Sequence, residues 1–382
     1  MSILSDLDPG GLYIGRIWRS GIGPCVVAAR NGRLADITSL KAPTVRDVFE
    51  LDNPADYLRN CDGVDLGAIE DIVFLPANDS NDNTYLLAPC DLQAIKACGV
   101  TFARSMIERV IEERASGDPA QAETIRLKVA SAIGENLHNI VPGSPEAAAV
   151  KKALIAEGLW SQYLEVGIGP DAEVFTKAQV MSSVGANADI GLHPSSVWNN
   201  PEPEIVLAVA STGKIVGATL GNDVNLRDIE GRSALLLGKA KDNNASCSIG
   251  PMIRLFDSTF SLADIRRAEL TLRITGPEGF VLEGRSDMRE ISRDPEDLVR
   301  QTIGRHHQYP DGFMLFLGTL FAPTQDRDQP GNGFTHKVGD IVEIASPGFG
   351  TLRNTVQLST ECSEWVFGAS HLLRNLAARK LV

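Results

Sequence analysis

The chain has 382 residues, a net charge of −13, 43% hydrophobic residues and 22% charged residues. This composition is typical of a soluble globular protein, and the length suffices for one large domain or two ordinary ones. An acidic chain offers no basic surface for the phosphates of a nucleic acid, so we expect no nucleic-acid partner.

The cysteines and the apolar segments favour a cytoplasmic protein. Six cysteines are scattered along the chain without a C-x-x-C pair, which fits neither a zinc knuckle nor a disulfide scaffold. The N-terminus lacks the basic and apolar regions of a secretory signal. The longest apolar stretch, residues 313–322, is about half as long as a membrane span, so we expect no membrane partner.

The N-terminal part of the chain predicts short strands joined by turns. Apolar strands are expected over residues 12–18 and 24–29, and Asn31-Gly32 is a strong hairpin signal. A short amphipathic helix that begins at a proline is expected over residues 43–50.

A run of loop-forming residues at 76–83 predicts a domain boundary. We therefore expect a small N-terminal α+β domain over residues 1–90 and a larger domain over residues 91–382. The larger domain is the one in which the candidate functional residues fall.

The larger domain combines three predicted helices with many short strands. The helices are expected over residues 103–115, 144–157 and 294–303. Strands are expected over residues 205–210, 214–220, 269–274, 314–320 and 340–345. Because strands and helices do not alternate regularly, the pattern favours an α+β, mainly β fold, a mixed β-sandwich or β-roll with flanking helices, over a doubly wound sheet.

Three carboxylates near the middle of the chain predict a divalent metal site. Glu202 and Glu204 flank one proline at the head of an apolar run, and Asp223 follows 19 residues after Glu204. In a strand, residues two apart project from the same face, so the two glutamates would point together. Three oxygen ligands would leave coordination positions of Mg²⁺ or Mn²⁺ open for a substrate.

The second half of the chain contains an ordered series of motifs. They are Glu173-Val174-Phe175-Thr176-Lys177, the pair Glu202 and Glu204, Gly221-Asn222-Asp223, Arg227-Asp228, Lys241, Gly250-Pro251, Gly318-Thr319 and Gly348-Phe349-Gly350. Over residues 165–360, this series resembles the fumarylacetoacetate hydrolase superfamily. The series as a whole is far more specific than any single piece of it.

The resemblance implies roles for individual residues. Glu202, Glu204 and Asp223 would hold Mg²⁺, or Mn²⁺ in its place, and a 2-oxo acid would chelate the metal. Lys241 would act as a base or oxyanion partner, with a pKa lowered by the neighbouring cation and by burial. Four residues are expected to bind substrate: Thr319, Lys177, Phe102 and Arg227. The family also implies a homodimer or homotetramer.

One departure from the family pattern bears on the reaction. In the C–C-cleaving hydrolases of the family, a His and a Glu three residues apart on a helix activate water. Here Glu108 occupies the glutamate position, but Ser105 stands where the histidine would be. A serine hydroxyl is no general base near neutral pH, which argues against water activation by such a pair.

With Ser105 in that position, the sequence looks similar to the branch of the family that dehydrates 2-keto-3-deoxypentonates. The resemblance implies a metal-dependent hydro-lyase of pentose catabolism that forms 2,5-dioxopentanoate, with Lys241, Glu108 and Ser105 as catalytic residues. Two alternatives stay open at this point: a C–C hydrolase of a 2,4-diketo acid, and a non-enzymatic module that binds sugar acids or metal.

Overall fold

The computed structural model describes residues 3–382 apart from 5, 73, 77–83, 116–139, 157, 159, 322, 324 and 330–332, and at 103–105, 107, 108 and 112 it describes the backbone only. The helices in this part of the chain are α1 (Val45–Phe49), α2 (Pro54–Asn60), α3 (Ala103–Arg114), α4 (Pro145–Ala156), α5 (Gln162–Ile168), α6 (Arg227–Glu230), α7 (Leu237–Lys241), α8 (Leu262–Ile265), α9 (Pro295–Thr302) and α10 (Ala369–Ala378). None of them is both long and apolar enough to cross a membrane.

The strands form two sheets. They are β1 (Tyr13–Arg19), β2 (Gly23–Arg30), β3 (Arg33–Asp36), β4 (Val64–Ala68), β5 (Tyr85–Leu87), β6 (Ala94–Gly99), β7 (Glu173–Ala178), β8 (Asp189–Leu192), β9 (Pro203–Val209), β10 (Ile215–Asp223), β11 (Cys247–Leu255), β12 (Glu269–Thr275), β13 (Val281–Asp287), β14 (Phe313–Phe316), β15 (Ile341–Ser346) and β16 (Gly350–Leu358). The larger sheet has the order β4-β3-β2-β1-β11-β10-β9-β14-β6-β7, with β5 also paired to β1, and the smaller has the order β13-β12-β15-β16-β8.

The central strands of the larger sheet are buried on both faces. Along β9, Ile205, Leu207 and Val209 belong to one core cluster, whereas Val206 and Ala208 belong to another. The smaller sheet covers one side through contacts of β16 with β11 and of β15 with β10. Because side chains alternate between the faces of a strand, a strand buried on both faces is apolar throughout, as the run after Glu204 is. The polar end of this strand therefore lies at the rim of a rigid core.

The predicted fold class is confirmed, since the chain is mainly β, with two sheets and flanking helices. The predicted hairpin connects β2 to β3, with positive φ angles of 51° at Asn31 and 71° at Gly32. The predicted N-terminal helix is α1, which begins two residues after Pro43 because the Thr44 side chain caps it.

One predicted strand is wrong in its second half. The strand expected over residues 314–320 ends at Phe316, as β14. Two residues later Gly318 has a φ of +91°, a backbone conformation that turns the chain out of the sheet. Apolar content alone, which continues to Leu320, cannot reveal this turn.

The predicted boundary at 76–83 lies largely outside the described residues. The division at residue 90 stays a prediction. The N-terminal strands do not form a sheet of their own, because β1 is hydrogen-bonded to β11 of the larger domain.

Candidate metal centre

The two adjacent strands β9 and β10 bring three carboxylates to one point. Glu204 lies opposite Gly221 in the antiparallel pairing, and the Asp223 backbone N–H donates to the carbonyl of Glu202 at 3.0 Å. One oxygen from each of Glu202, Glu204 and Asp223 lies within 4.8 Å of the other two, and all three residues are buried. No other such group of three metal-binding residues occurs in the described part of the chain.

Hydrogen bonds hold the backbone at Glu202 and the carboxylate of Glu204. The Glu202 N–H donates to the side-chain oxygen of Asn222 at 3.1 Å. The Gly318 N–H donates to Oε2 of Glu204 at 2.6 Å. A Cβ at Gly318 would lie 2.0 Å from Oγ1 of Thr101, so only glycine fits where the chain approaches Glu204 this closely.

Two lysines neutralise part of the negative charge of the three carboxylates. Nζ of Lys241, at the end of α7, lies 2.5 Å from Oε2 of Glu202 and 3.1 Å from Oδ2 of Asp223. Nζ of Lys177, in β7, lies 2.9 Å from Oδ1 of Asp223. Lys177 also donates to the carbonyls of Val224 and Lys241, so its three N–H groups all have protein acceptors.

An arginine from a distant helix reaches the same carboxylates. Arg109 of α3 pairs through Nη2 with Oε1 of Glu202, and its Nη1 lies 2.8 Å from Oε2 of Glu230. Glu230 is the last residue of α6 and is buried. A chain of ion pairs thus links helix α3 to the candidate metal ligands.

The carboxylates differ in how readily they ionise. Burial, followed by the charges of Asp223 and Glu202, raises the pKa of Glu204 well above its usual value. Burial also opposes ionisation of Asp223, but Lys177 and Lys241 outweigh it and hold the pKa of Asp223 below the usual range. Of the three candidate metal ligands, Glu204 is therefore the one whose negative charge is balanced least by neighbouring cations.

Burial disfavours the charged form of Lys241, but Asp223 and Glu202 prevail and raise the pKa of its ammonium group. The lowered pKa that the sequence resemblance implies refers to a site that contains a divalent cation, and it stays a prediction.

The carboxylates line a small cavity of about 20 Å³, room for roughly one water-sized sphere. Its ionisable lining consists of the carboxylates Glu173, Glu202, Glu204, Asp223 and Glu230 and the cations Arg109 and Lys241, together with the thiol of Cys98. A wider groove of about 550 Å³ lies between the N-terminal residues and the β2–β3 hairpin, but it contains no cluster of metal-binding side chains among the described residues. The smaller cavity is therefore the candidate site.

The charges fit a divalent cation. Five carboxylates face the cavity, and only three cationic groups, Arg109, Lys177 and Lys241, accompany them in the described part of the chain. When all five carboxylates are ionised, the excess of two negative charges, on hard oxygen ligands, is what Mg²⁺ or Mn²⁺ would neutralise. Glu202, Glu204 and Asp223 could therefore hold such an ion.

Glu173 is a cavity residue to which the sequence analysis assigned no role. Burial, followed by the charge of Glu230, raises the pKa of Glu173 to about 7. It lies opposite Gly99, where a Cβ would approach its carboxylate oxygen to 2.0 Å. The signal was present, because Glu173 lies four residues before Lys177 on the same strand and hence on the same face.

The other predicted site residues lie around this cavity in different ways. Thr319 lines it, with its hydroxyl donating to the carbonyl of Pro203 at 3.0 Å. Lys177 and Phe102 are fully buried, and Arg227 stacks at 4.2 Å on the ring of Trp198. None of these last three predicted residues belongs to the cavity lining in the described part of the chain.

The pair expected to decide the reaction lies on α3. The backbone of this helix is described over Ala103–Arg114, which agrees with the predicted helix. The side chains of Ser105 and Glu108 lie outside the described residues, so their predicted roles stay predictions.

The C-terminal half of the chain matches a known family. Residues 170–357 match the model of the fumarylacetoacetate (FAA) hydrolase C-terminal family. A probable 2-keto-3-deoxyxylonate dehydratase of Haloferax volcanii is 34% identical over 194 residues, which are 51% of this chain and 63% of that protein. The 2-dehydro-3-deoxy-D-arabinonate dehydratase of Saccharolobus solfataricus is 32% identical over 185 residues, 48% of this chain and 58% of that protein.

Solved structures extend the likeness to nearly the whole fold. A 2-keto-3-deoxy-D-arabinonate dehydratase in complex with magnesium and 2,5-dioxopentanoate has a TM-score of 0.62 at 23% identity, covering 91% of this chain and 99% of that chain. The fumarylacetoacetate hydrolase of Exiguobacterium antarcticum has a TM-score of 0.56 at 16% identity, with the same coverage. At these identities the structural likeness concerns the fold.

The comparisons confirm the resemblance to the fumarylacetoacetate hydrolase superfamily and, within it, to dehydratases of 2-keto-3-deoxypentonates. The match spans about 60% of the length of the curated relatives. All three candidate metal ligands, and also Glu173 and Lys241, fall within the region that the family model matches.

Proposed function

We propose that the protein is a divalent-metal-dependent dehydratase that converts a 2-keto-3-deoxypentonate to 2,5-dioxopentanoate. The observation that carries the proposal is the convergence of Glu202, Glu204 and Asp223 at the ends of two paired strands, inside residues 170–357 that the family model matches. The names of these relatives supply the substrate class.

When bound by the three carboxylates, Mg²⁺, or Mn²⁺ in its place, would withdraw electrons from the oxygens of a 2-oxo acid and so make the C3 protons more acidic. The protein contributes the placement of these ligands. Strand pairing holds Glu202 and Asp223, and the Gly318 N–H holds Glu204.

We assign the removal of a C3 proton to Glu173. Its carboxylate lines the cavity and has no hydrogen bond or ion pair to a described residue. A carboxylate with a pKa near 7 can both accept and return a proton at neutral pH. Lys241, whose ammonium is held charged by Asp223 and Glu202, is better suited to stabilise the negative charge that develops on the substrate.

The reaction removes one water. The C3–H bond breaks, with its proton going to Glu173, and the C4–O bond breaks as the hydroxyl leaves with a proton supplied by Glu108 or by a water that Ser105 positions. The C3–C4 double bond so formed then migrates: a proton leaves C5 and another adds to C3. The resulting C5 enol takes a proton at C4 and loses the proton of its hydroxyl group, which gives the aldehyde of 2,5-dioxopentanoate.

A direct test is to incubate the Mg²⁺-loaded protein with 2-keto-3-deoxypentonate and identify the product. Formation of 2,5-dioxopentanoate supports the dehydratase. The second candidate, a C–C hydrolase of a 2,4-diketo acid, predicts cleavage of acylpyruvate-type substrates instead, and Ser105 in the histidine position argues against it. Absence of turnover with either substrate class would favour a binding module.

Two further predictions belong to the proposal. The cytoplasm is the proposed location, in keeping with the six free thiols. A homodimer or homotetramer is the proposed assembly, and light scattering on the purified protein measures it.

A further inference from the structure

The proposed substrate carries a carboxylate, and the cavity that would receive it is rich in carboxylates. Among the described residues of the lining, Arg109 and Lys241 are the cations. Lys177 already donates to two carbonyls and to Asp223, and the hydroxyl of Thr319 donates to Pro203. Among the described residues, Arg109 and Lys241 are therefore the candidates for recognising an anionic substrate.

Arg109 has the position that such recognition needs. Its side chain is 12% exposed and pairs with Oε1 of Glu202, while Lys241 pairs with Oε2 of the same carboxylate. A 2-oxo acid that binds beside Glu202 would thus place its own carboxylate next to the guanidinium. The planar guanidinium can donate two parallel hydrogen bonds to a carboxylate, which an ammonium group cannot do.

Glu230 would orient this arginine. It lies on a different helix from Arg109, is 4% exposed, and stands 2.8 Å from Nη1, whereas Nη2 faces Glu202. A buried ion pair of this kind fixes the plane of the guanidinium. Glu230 therefore determines which edge of Arg109 faces the cavity.

We propose that Arg109 binds the carboxylate of the substrate and determines specificity for 2-oxo acids over neutral 2-oxo compounds, with Glu230 as its positioning residue. The inference rests on the proposed function, since it takes the carboxylate from the proposed substrate. It differs from the roles that the family resemblance implies, which name Thr319, Lys177, Phe102 and Arg227.

The experiment measures binding, not turnover. Pyruvate, a small 2-oxo acid, is titrated calorimetrically into the Mn²⁺-loaded protein, and Mn²⁺ itself is titrated into the metal-free protein. For Arg109→Gln we expect the Kd of pyruvate to rise roughly 10- to 100-fold, because a charge-assisted pair is lost. The Kd of Mn²⁺ should change by less than about threefold or fall, because a competing cation has been removed.

Matched variants separate recognition from folding. Arg114→Gln removes an exposed arginine of the same helix, whose contact is the carbonyl of Gly158, and should leave both constants unchanged. Arg109→Lys keeps the positive charge but lacks the planar pair of N–H donors. Its Kd for pyruvate should therefore lie between those of the wild type and Arg109→Gln. Glu230→Gln should weaken pyruvate binding while Mn²⁺ binding is retained, which a merely structural Glu230 would not do. Pyruvamide, the neutral analogue, should bind the wild type weakly and be insensitive to Arg109→Gln.

Two outcomes overturn the inference. One is an Arg109→Gln protein, or an Arg109→Lys protein if the former does not fold, that binds pyruvate like the wild type. The other is a wild-type Mn²⁺-loaded protein that binds no pyruvate. Failure of the proposed function is a separate result. If pyruvate binding depends on Arg109 but 2-keto-3-deoxypentonate is not dehydrated, the role of Arg109 in binding a carboxylate stands and the proposed dehydration is refuted.

Discussion

Replacing Gly318 with alanine tests whether a single backbone N–H holds Glu204 in place. A non-glycine residue at a φ of +91° costs about 1–2 kcal/mol. The added Cβ would also lie 2.0 Å from Oγ1 of Thr101, and overpacking of this kind costs about 1–3 kcal/mol. We expect the free energy of unfolding to fall by about 2–5 kcal/mol, unless the backbone moves to relieve the collision.

Any such movement takes the Gly318 N–H away from Oε2 of Glu204, now 2.6 Å distant. Loss of a hydrogen bond to a charged group costs about 1.5–3 kcal/mol, so Mn²⁺ binding should weaken roughly tenfold or more. Chemical denaturation measures the stability, and calorimetric titration measures the affinity for Mn²⁺.

Gly279→Ala is a matched control for this prediction. Gly279 also has a positive φ, +85°, but no atom lies within 4 Å of the Cβ it would gain. The Gly279→Ala protein should lose about 1–2 kcal/mol of stability from backbone strain, and its affinity for Mn²⁺ should not change. A Thr101→Ala change added to Gly318→Ala should recover part of the loss, because the Oγ1 contact is gone. If Gly318→Ala behaves like Gly279→Ala in both measurements, the Gly318 N–H does not hold Glu204 in place.

Three other changes test the proposed site. Glu204→Gln should abolish turnover and its dependence on metal together, and near-normal turnover after chelation and readdition of Mg²⁺ would remove Glu204 from the site. Ser105→Ala should lower turnover while the Kd of Mn²⁺ stays within about threefold, whereas unchanged turnover would exclude this hydroxyl from the reaction. Glu173 must be ionised to act as a base, so activity should be full above its pKa of about 7 and fall as the pH drops through it. A bound divalent cation lowers the pKa of Glu173 and so moves this fall in activity to lower pH. The Glu173→Gln protein should have a low rate that no longer falls with pH in this range. An unaltered pH profile in that variant would assign the proton transfer to another group.

The sequence sufficed for the parts of the site that are local in the chain. Glu202 and Glu204 are two residues apart on one strand, and strand geometry alone puts them on one face. The fold class also followed from the pattern of short strands, because hydrophobic alternation and turn residues are local signals.

The parts that could not be predicted depend on packing between distant elements. Arg109 and Glu230 are 121 residues apart in the chain and meet only because α3 and α6 flank the same strand ends. The contacts of the Lys177 ammonium group with two backbone carbonyls and with Asp223 are likewise not revealed by any spacing in the sequence, and its predicted role as a substrate ligand stays a prediction. The length of β14 was overestimated because the turn at Gly318 is imposed by contact with Thr101 and Glu204.

The pairing of β1 with β11 limits how the chain can be shortened. A fragment that began after residue 90 would keep every candidate ligand, yet it would expose the edge of β11 at Ile253 and Arg254, which β1 covers in the whole chain. β11 is a nine-residue strand that is buried throughout. Long, apolar, unpaired edges join with one another and drive aggregation. Expression of the C-terminal part alone should therefore yield insoluble material, because β1 covers this edge of β11 in the whole chain.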